Sequence, residues 1–168
     1  MKKKETRLYN VLFPIWFLIV FPITWFVILP GNFIIDLLVI VITMKVLKIQ
    51  DVKYNSKKII IRTWLIGFAS DGIGVLFMII GAFVDGGEWW YQNITNPISY
   101  NPFSTIAGFL WTTSAVAIAG YFIYLLNYKY CFNKSNLDKL QKKKLALSLA
   151  IFTAPYLFYY PSQLLYNN

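Results

Sequence analysis

The chain contains no histidine and only one cysteine, Cys131, so the side chains that most often bind zinc or haem are almost missing. A single cysteine also excludes a small secreted module held together by disulfides. Only 14% of the residues are charged, about half of the ~25% usual in soluble domains. The sequence has no Walker-type phosphate loop and no nucleophile elbow. We therefore expect no metal, no cofactor and no catalytic residue of these kinds.

Apolar residues dominate what is present: 58% of the chain is hydrophobic and 19% is aromatic. The mean hydropathy is +0.54. A soluble protein of 168 residues could not bury this much apolar surface. The composition therefore predicts an all-α integral membrane protein, although the formal net charge of +9 could by itself suggest nucleic-acid binding.

The basic residues fall into three blocks, within residues 2–7, 45–62 and 129–144. Short loops rich in Lys and Arg stay on the cytoplasmic side of a membrane. All three blocks are therefore predicted to be cytoplasmic, with an even number of crossings between each pair. Bases scattered over three loops favour contact with membrane lipids and give no reason to expect a nucleic-acid partner.

The 34-residue stretch 11–44 has no basic side chain and is too long for one crossing. A single helix of that length would measure ~51 Å, against a hydrocarbon core of ~30 Å. Pro30 and Gly31 interrupt it, and Asn32 is a suitable helix cap. This pattern predicts a tight helical hairpin, with helices at about 10–29 and 32–47.

Two further apolar stretches, 63–84 and 103–127, predict the third and fourth helices. They flank a predicted external loop, 85–102, which has two acids, no bases and the aromatic pair Trp89 and Trp90. Trp side chains prefer the level of the lipid headgroups, so this loop is a candidate contact surface.

A fifth helix is predicted at 145–163, although Pro155 and Pro161 interrupt it. Pro155 cannot donate a hydrogen bond to the Ile151 carbonyl, so a kink is expected there. A re-entrant or interfacial helix is the alternative for this segment. The predicted cytoplasmic loops are 48–62 and 128–144.

These elements together predict one polytopic membrane domain, 1–168, with about five transmembrane helices, the N-terminus inside and the C-terminus outside. Lysine far outnumbers arginine, and Ile, Asn, Phe and Tyr are frequent, as in AT-rich bacterial genomes. We therefore expect a multi-pass protein of a bacterial cytoplasmic (inner) membrane.

Two acids, Asp36 and Asp71, lie inside predicted membrane helices. An ionisable group at membrane depth is costly and suggests a functional site. Counted from the predicted turn, Asp36 would lie ~6 Å below the external surface and Asp71 ~20 Å below it. A depth difference above ~10 Å would keep the two acids apart. Intramembrane aspartyl proteases carry a glycine-x-glycine before the second aspartate, whereas Gly72-Ile73-Gly74 follows Asp71 here.

Asp71 shares a helix face with three glycines that recur every seven residues, Gly67, Gly74 and Gly81. Small residues let membrane helices approach closely, so this face is predicted to pack on another helix or on another subunit. Lys45, at a similar predicted depth, is the candidate partner for a structural ion pair with Asp71, and Arg62 is a second. The alternative is a proton or cation site.

Asp36 shares a face with Asn32 and Thr43, and this polar stripe predicts either a cavity or a tether for the tight turn. On the fourth helix Thr112 follows Gly108 on one face. This spacing predicts that Gly108 and Thr112 pack on another helix. The alternative is that Thr112 forms part of an ion or ligand pathway.

The sequence favours a non-catalytic transport-type or accessory membrane subunit, with Asp36 and Asp71 as its polar groups. Five helices offer few inward faces, so a homo-oligomer or another membrane subunit is an expected partner. The alternative is a structural or interaction protein, such as an assembly or immunity factor, that acts through the external aromatic loop and its helix faces.

Overall fold

The computed structural model describes residues 22–165, and every regular element in that range is helical. The six α-helices are α1 Pro22–Val46, α2 Val52–Phe83, α3 Gly87–Trp90, α4 Asn96–Tyr100, α5 Ile106–Leu126 and α6 Lys139–Phe152. Three helices are long and apolar enough to cross a membrane, at Trp25–Val46, Val52–Phe83 and Ile106–Cys131. The prediction of an all-helical membrane protein is confirmed at this level.

The prediction of a hairpin at residues 29–32 is wrong, because α1 continues through Pro30 and Gly31 without a turn. Pro30 has no N–H to donate to the Phe26 carbonyl one turn earlier. Trp64 of α2 donates from Nε1 to the Leu29 carbonyl at 2.9 Å and thereby joins this part of α1 to α2. Membrane helices tolerate proline because neighbouring helices, ordered water or small local adjustments satisfy the freed backbone groups. The predicted helix 10–29 lies mostly outside the described residues.

The long helices run antiparallel to their sequence neighbours. In the α1–α2 pair, Trp25 packs on Phe68 and Phe33 packs on Trp64, so the numbering rises in one helix as it falls in the other. The connections 47–51 and 127–138 therefore lie at one end of the bundle, which we call the basic end. The second and third basic blocks lie at or near this end, with α2 and α5 between them, as the charge pattern predicts.

The opposite end is closed by the cap, residues 84–105, which contains α3, α4 and a π-helical turn between them. Its side chains bind the end of α2: Trp90 Nε1 and Thr95 Oγ1 donate to the Gly81 carbonyl at 3.1 and 3.0 Å. Trp111 of α5 stacks on Phe77 just below. The predicted external loop is thus an ordered lid over the helix ends.

The last segment is a broken helix. It begins with α6, where Asp138 and Gln141 form a capping box, and α6 ends at Phe152. A non-helical break at 153–155 and two short 3₁₀ turns follow, at Tyr156–Tyr159 and Ser162–Leu165. Ser162 Oγ donates to the Ser99 carbonyl of α4 at 2.6 Å, so the segment runs from the basic end to the cap.

The break follows from Pro155. The ring has no N–H for the Ile151 carbonyl, and the Tyr156 hydroxyl donates to that carbonyl instead, at 2.5 Å. The expectation of an interrupted helix at Pro155 agrees with this geometry. However, α6 starts six residues earlier than predicted and has 14 residues, about 21 Å, so α6 alone is too short to cross the bilayer.

The glycine face of α2 packs within the chain. Cβ atoms added at Gly74 and Gly81 would meet Ala119 and the Trp111 indole of α5, respectively, at 3.2 Å or less. Gly108 lies against Pro97 of the cap in the same way. The glycine pattern allows this face to pack on a second subunit. Along Gly74 and Gly81, helix α5 of the same chain covers it instead.

Two glycines of α2 give a matched test of this packing. We expect Gly81→Ala to lower the free energy of unfolding by about 1–3 kcal/mol, because the added methyl group would overlap Trp111. Gly72→Ala should be neutral or stabilising by up to ~1 kcal/mol, because nothing lies near its added Cβ. Unfolding in detergent micelles followed by near-UV circular dichroism measures both, and equal effects would contradict the packing.

Candidate functional site

A cavity of about 240 Å³ lies where α1, α2 and the break after α6 meet. Its polar lining comes from Asn32 and Asp36 of α1, Asp71 of α2 and Thr153 of the break, with Tyr156 beyond it. The rest of the lining is mainly apolar. The cavity therefore combines two acids with a largely hydrophobic wall.

Asp36 reaches the cavity because α2 has a glycine opposite it. A Cβ added at Gly67 would lie 3.4 Å from Asp36 Oδ2, so the carboxyl packs directly on the α2 backbone. The side chain is 4% exposed, and Thr153 lines the same cavity. Thr153 also donates to the Leu149 carbonyl at 2.9 Å, which fixes it at the end of α6.

Asp71 lies one helical turn beyond Gly67, and it is 7% exposed. Its Oδ1 atom is buried and has no hydrogen-bond partner within residues 22–165. The carboxyl is close enough to Asp36 for their charges to repel each other when both are ionised. A buried polar atom without a partner costs about 1–3 kcal/mol, so this position is destabilising in the absence of a ligand.

The expected depth difference between the two acids is wrong. It was counted from a surface turn at Asn32, but Asn32 lies inside α1. Asp36 packs on Gly67, and the rise from Gly67 to Asp71 is only ~6 Å. The two acids therefore share one cavity, and depth no longer separates them from the paired acids of aspartyl proteases. The order of the glycines still differs from that family.

The expected ion pair between Lys45 and Asp71 is not formed in the described part of the chain. Lys45 lies nine residues beyond Asp36 on α1, about 13 Å further toward the basic end, and its side chain is exposed. Arg62 is exposed as well. Among residues 22–165 no lysine or arginine lines the cavity, so no base of this part of the chain neutralises either acid there.

The break adds further negative character. The C-terminal end of a helix presents carbonyls without intrahelical donors and carries a partial negative charge. Here α6 ends at Phe152, which itself lines the cavity, and the Ile151 carbonyl in its last turn accepts from the Tyr156 hydroxyl in place of Pro155. The cavity thus gathers two carboxyls and the negative end of a helix.

The remaining predicted residues are placed elsewhere. Thr43 is half-buried, and Thr112 is fully buried with no partner for its Oγ1 within residues 22–165, but neither lines the cavity. Trp89 is exposed on the cap, whereas Trp90 packs edge-on against Trp111. Of the five residues of the predicted pathway, the structure brings Asp36, Asp71 and Asn32 together.

Sequence reasoning missed the contribution of the last segment, chiefly Phe152, Thr153 and Tyr156. The signal was Pro155, which marked an interruption in an apolar stretch. Because the break and the two acids are more than 80 residues apart in the chain, only the antiparallel packing of α6 against the bundle reveals their contact.

Comparison of the chain with protein-family models, curated proteins and solved structures finds no match. The chemistry of the cavity is therefore the basis for assigning a role. No group of three or more potential metal ligands among His, Cys, Asp and Glu occurs within residues 22–165. The cavity can hold protons, or a positively charged group, between two carboxyls.

The unpartnered acid gives a test of stability. We expect Asp71→Leu to raise the free energy of unfolding by about 1–3 kcal/mol, because a buried polar group without a partner is replaced by an apolar one. Asp85→Leu in the exposed cap is the matched control and should give no gain. Thermal unfolding in detergent micelles compares the two variants. A loss of stability in Asp71→Leu would mean that Asp71 has a stabilising partner.

Proposed function

We propose that the protein is a small, non-catalytic membrane protein of transport type, in which the Asp36–Asp71 cavity is the ionisable centre of a path through the bilayer. The main supporting observation is that the buried Oδ1 atom of Asp71 has no hydrogen-bond partner within residues 22–165, and that Asp71 lines a cavity together with a second buried acid, Asp36. Acids inside a membrane are costly, and those retained there commonly mark ion or substrate pathways.

The interrupted helix beside the cavity supports this proposal. Binding sites of transporters lie near the bilayer midplane at interrupted helices, whose free carbonyls contribute to cation binding. Irregular backbone at that depth is tolerated only where it is buried in protein or lines a cavity. The break at 153–155 satisfies this condition because Thr153, Ala154 and Pro155 all line the cavity.

The proposed topology has five crossings, with the N-terminus inside and the C-terminus outside a bacterial cytoplasmic membrane. In support, the bases of the described chain gather toward one end of the bundle, whereas the cap holds the acids Asp85 and Glu88. The broken α6 segment, continued to the cap, supplies the last crossing. The first crossing of this topology is predicted from the sequence alone, in a stretch that lies mostly outside the described residues.

The small size of the chain favours a transport pathway that is formed by an assembly of subunits. Only three sides of the cavity are built by the described residues, from α1, α2 and the α6 break. The outer face of α1 remains exposed, with Phe26 and Val27 81% and 77% accessible. We propose that this face contacts lipid or a second membrane subunit.

The alternative function is an interaction protein that acts through the cap. Trp89, which is 62% exposed, favours it because a large exposed aromatic residue is a usual binding anchor. Trp90 does not contribute to such a surface, since its indole donates to Gly81. The contact surface would thus be smaller than the Trp pair suggests.

Proton flux tests the proposed function. Vesicles containing the protein and the internal pH dye pyranine are given a potassium diffusion potential with valinomycin, and acidification is followed. We expect the wild type to exceed protein-free vesicles and Asp71→Asn to fall to their level, because the amide cannot carry the proton.

Asp85→Asn, in the exposed cap, is the control and should retain the wild-type rate. An Asp71→Asn variant with unchanged flux and unchanged pH dependence would remove Asp71 from any transport role.

A further inference from the structure

We propose that the ligand of the cavity is a small organic cation, namely a protonated amine or quaternary ammonium that carries one apolar group. This inference rests on the proposed function, because it takes the Asp36–Asp71 cavity as a binding site and names the class of its substrate. Charge, wall chemistry and size each support it independently.

The two acids of the cavity favour a positively charged ligand. The titratable groups in its lining are Asp36 on α1, Asp71 on α2 and Tyr156 after α6. Helix α5 contributes none, and the part of the lining that the structure describes contains no lysine or arginine. One bound cation beside a buried carboxylate removes the cost of an unpaired charge, and the second acid can retain a proton.

The walls distinguish an organic cation from a metal ion. Phe68, Phe152, Phe158 and Tyr156 surround the two acids, and aromatic faces attract ammonium groups. Calcium requires six to eight oxygen ligands and magnesium retains a shell of water, so both favour oxygen-rich sites. Within the described chain no group of three potential metal-ligating side chains occurs.

The size of the cavity limits the apolar group. A dry apolar cavity of ~150 Å³ can bind benzene. The present cavity, at about 240 Å³, therefore has room for one aromatic ring and an ammonium group, but not for a cation with several rings. Benzyltrimethylammonium meets this limit, and tetraphenylphosphonium exceeds it.

The surroundings of the cavity provide a route for an amphiphilic ligand. Several lining side chains are largely exposed, including Ile35 at 47%, Leu157 at 63% and Phe152 at 65%. They lie on α1 and on the broken segment, so the cavity has an apolar rim between these two elements. In a bilayer such a rim faces the hydrocarbon, where amphiphilic amines accumulate.

Binding of radiolabelled benzyltrimethylammonium to the full-length protein in nanodiscs tests this inference. We expect saturable binding of one molecule per chain. Asp71→Asn should weaken it roughly thirtyfold or more, as for the loss of one partner of a buried charge pair. Asp36→Asn should weaken it similarly, whereas Asp85→Asn should leave it unchanged.

Competition identifies the chemistry that is recognised. Neopentylbenzene has the shape of benzyltrimethylammonium but no charge. We expect it not to displace the label efficiently. Sodium chloride and tetraphenylphosphonium should also fail, the latter because it exceeds the size of the cavity. Equal displacement by neopentylbenzene would overturn the inference by showing a merely hydrophobic site. Displacement by sodium, with Asp71 still required, would overturn it in favour of a metal cation.

The outcomes separate this inference from the proposed function. Absence of saturable binding, with proton flux that still depends on Asp71, would overturn the organic cation and leave the transport role. Charge-selective binding that depends on both acids, in vesicles without proton flux, would support the ligand class and contradict proton transport.

Discussion

The constraint on which the structure depends is the burial of two carboxyls, Asp36 and Asp71, in one cavity without a base. The chain provides 16 basic residues, and none of those within residues 22–165 lines that cavity. Removing two charges from water without pairing them is among the most costly arrangements in a protein, and more so in a bilayer. The fold must therefore hold these acids by packing, or with a ligand.

Several local features create the space that the acids occupy. Gly67 lets Asp36 reach the backbone of α2, and Pro155 ends the helical part of the last segment beside the same point. Around them the bundle is tightly packed, with Gly74 and Gly81 against α5 and the cap bound to the end of α2. A rigid frame with one local interruption can present a binding site at membrane depth.

The class of fold and the location of the charges were predictable, because hydropathy and basic residues report on the bilayer directly. The hairpin was not, since Pro and Gly are typical of turns in soluble proteins, whereas Pro30 and Gly31 stay inside the continuous helix α1, which packs on α2 and accepts a hydrogen bond from Trp64 at Leu29. The predicted hairpin placed Asn32 at the membrane surface and Asp36 at a different depth from Asp71. It also placed Lys45 at the depth of Asp71, as its expected ion-pair partner. Three wrong site expectations thus had one local cause.

Disulfide trapping between α1 and α2 tests the shared cavity most directly. In a Cys131→Ser background, Asp36→Cys combined with Gly67→Cys should form an intramolecular disulfide in oxidised membranes, because the Asp36 carboxyl lies 3.4 Å from a Cβ at position 67. Lys45→Cys with Asp71→Cys is the matched pair and should not, as Lys45 lies about 13 Å beyond Asp36 along α1. A disulfide only in the second pair would contradict the account.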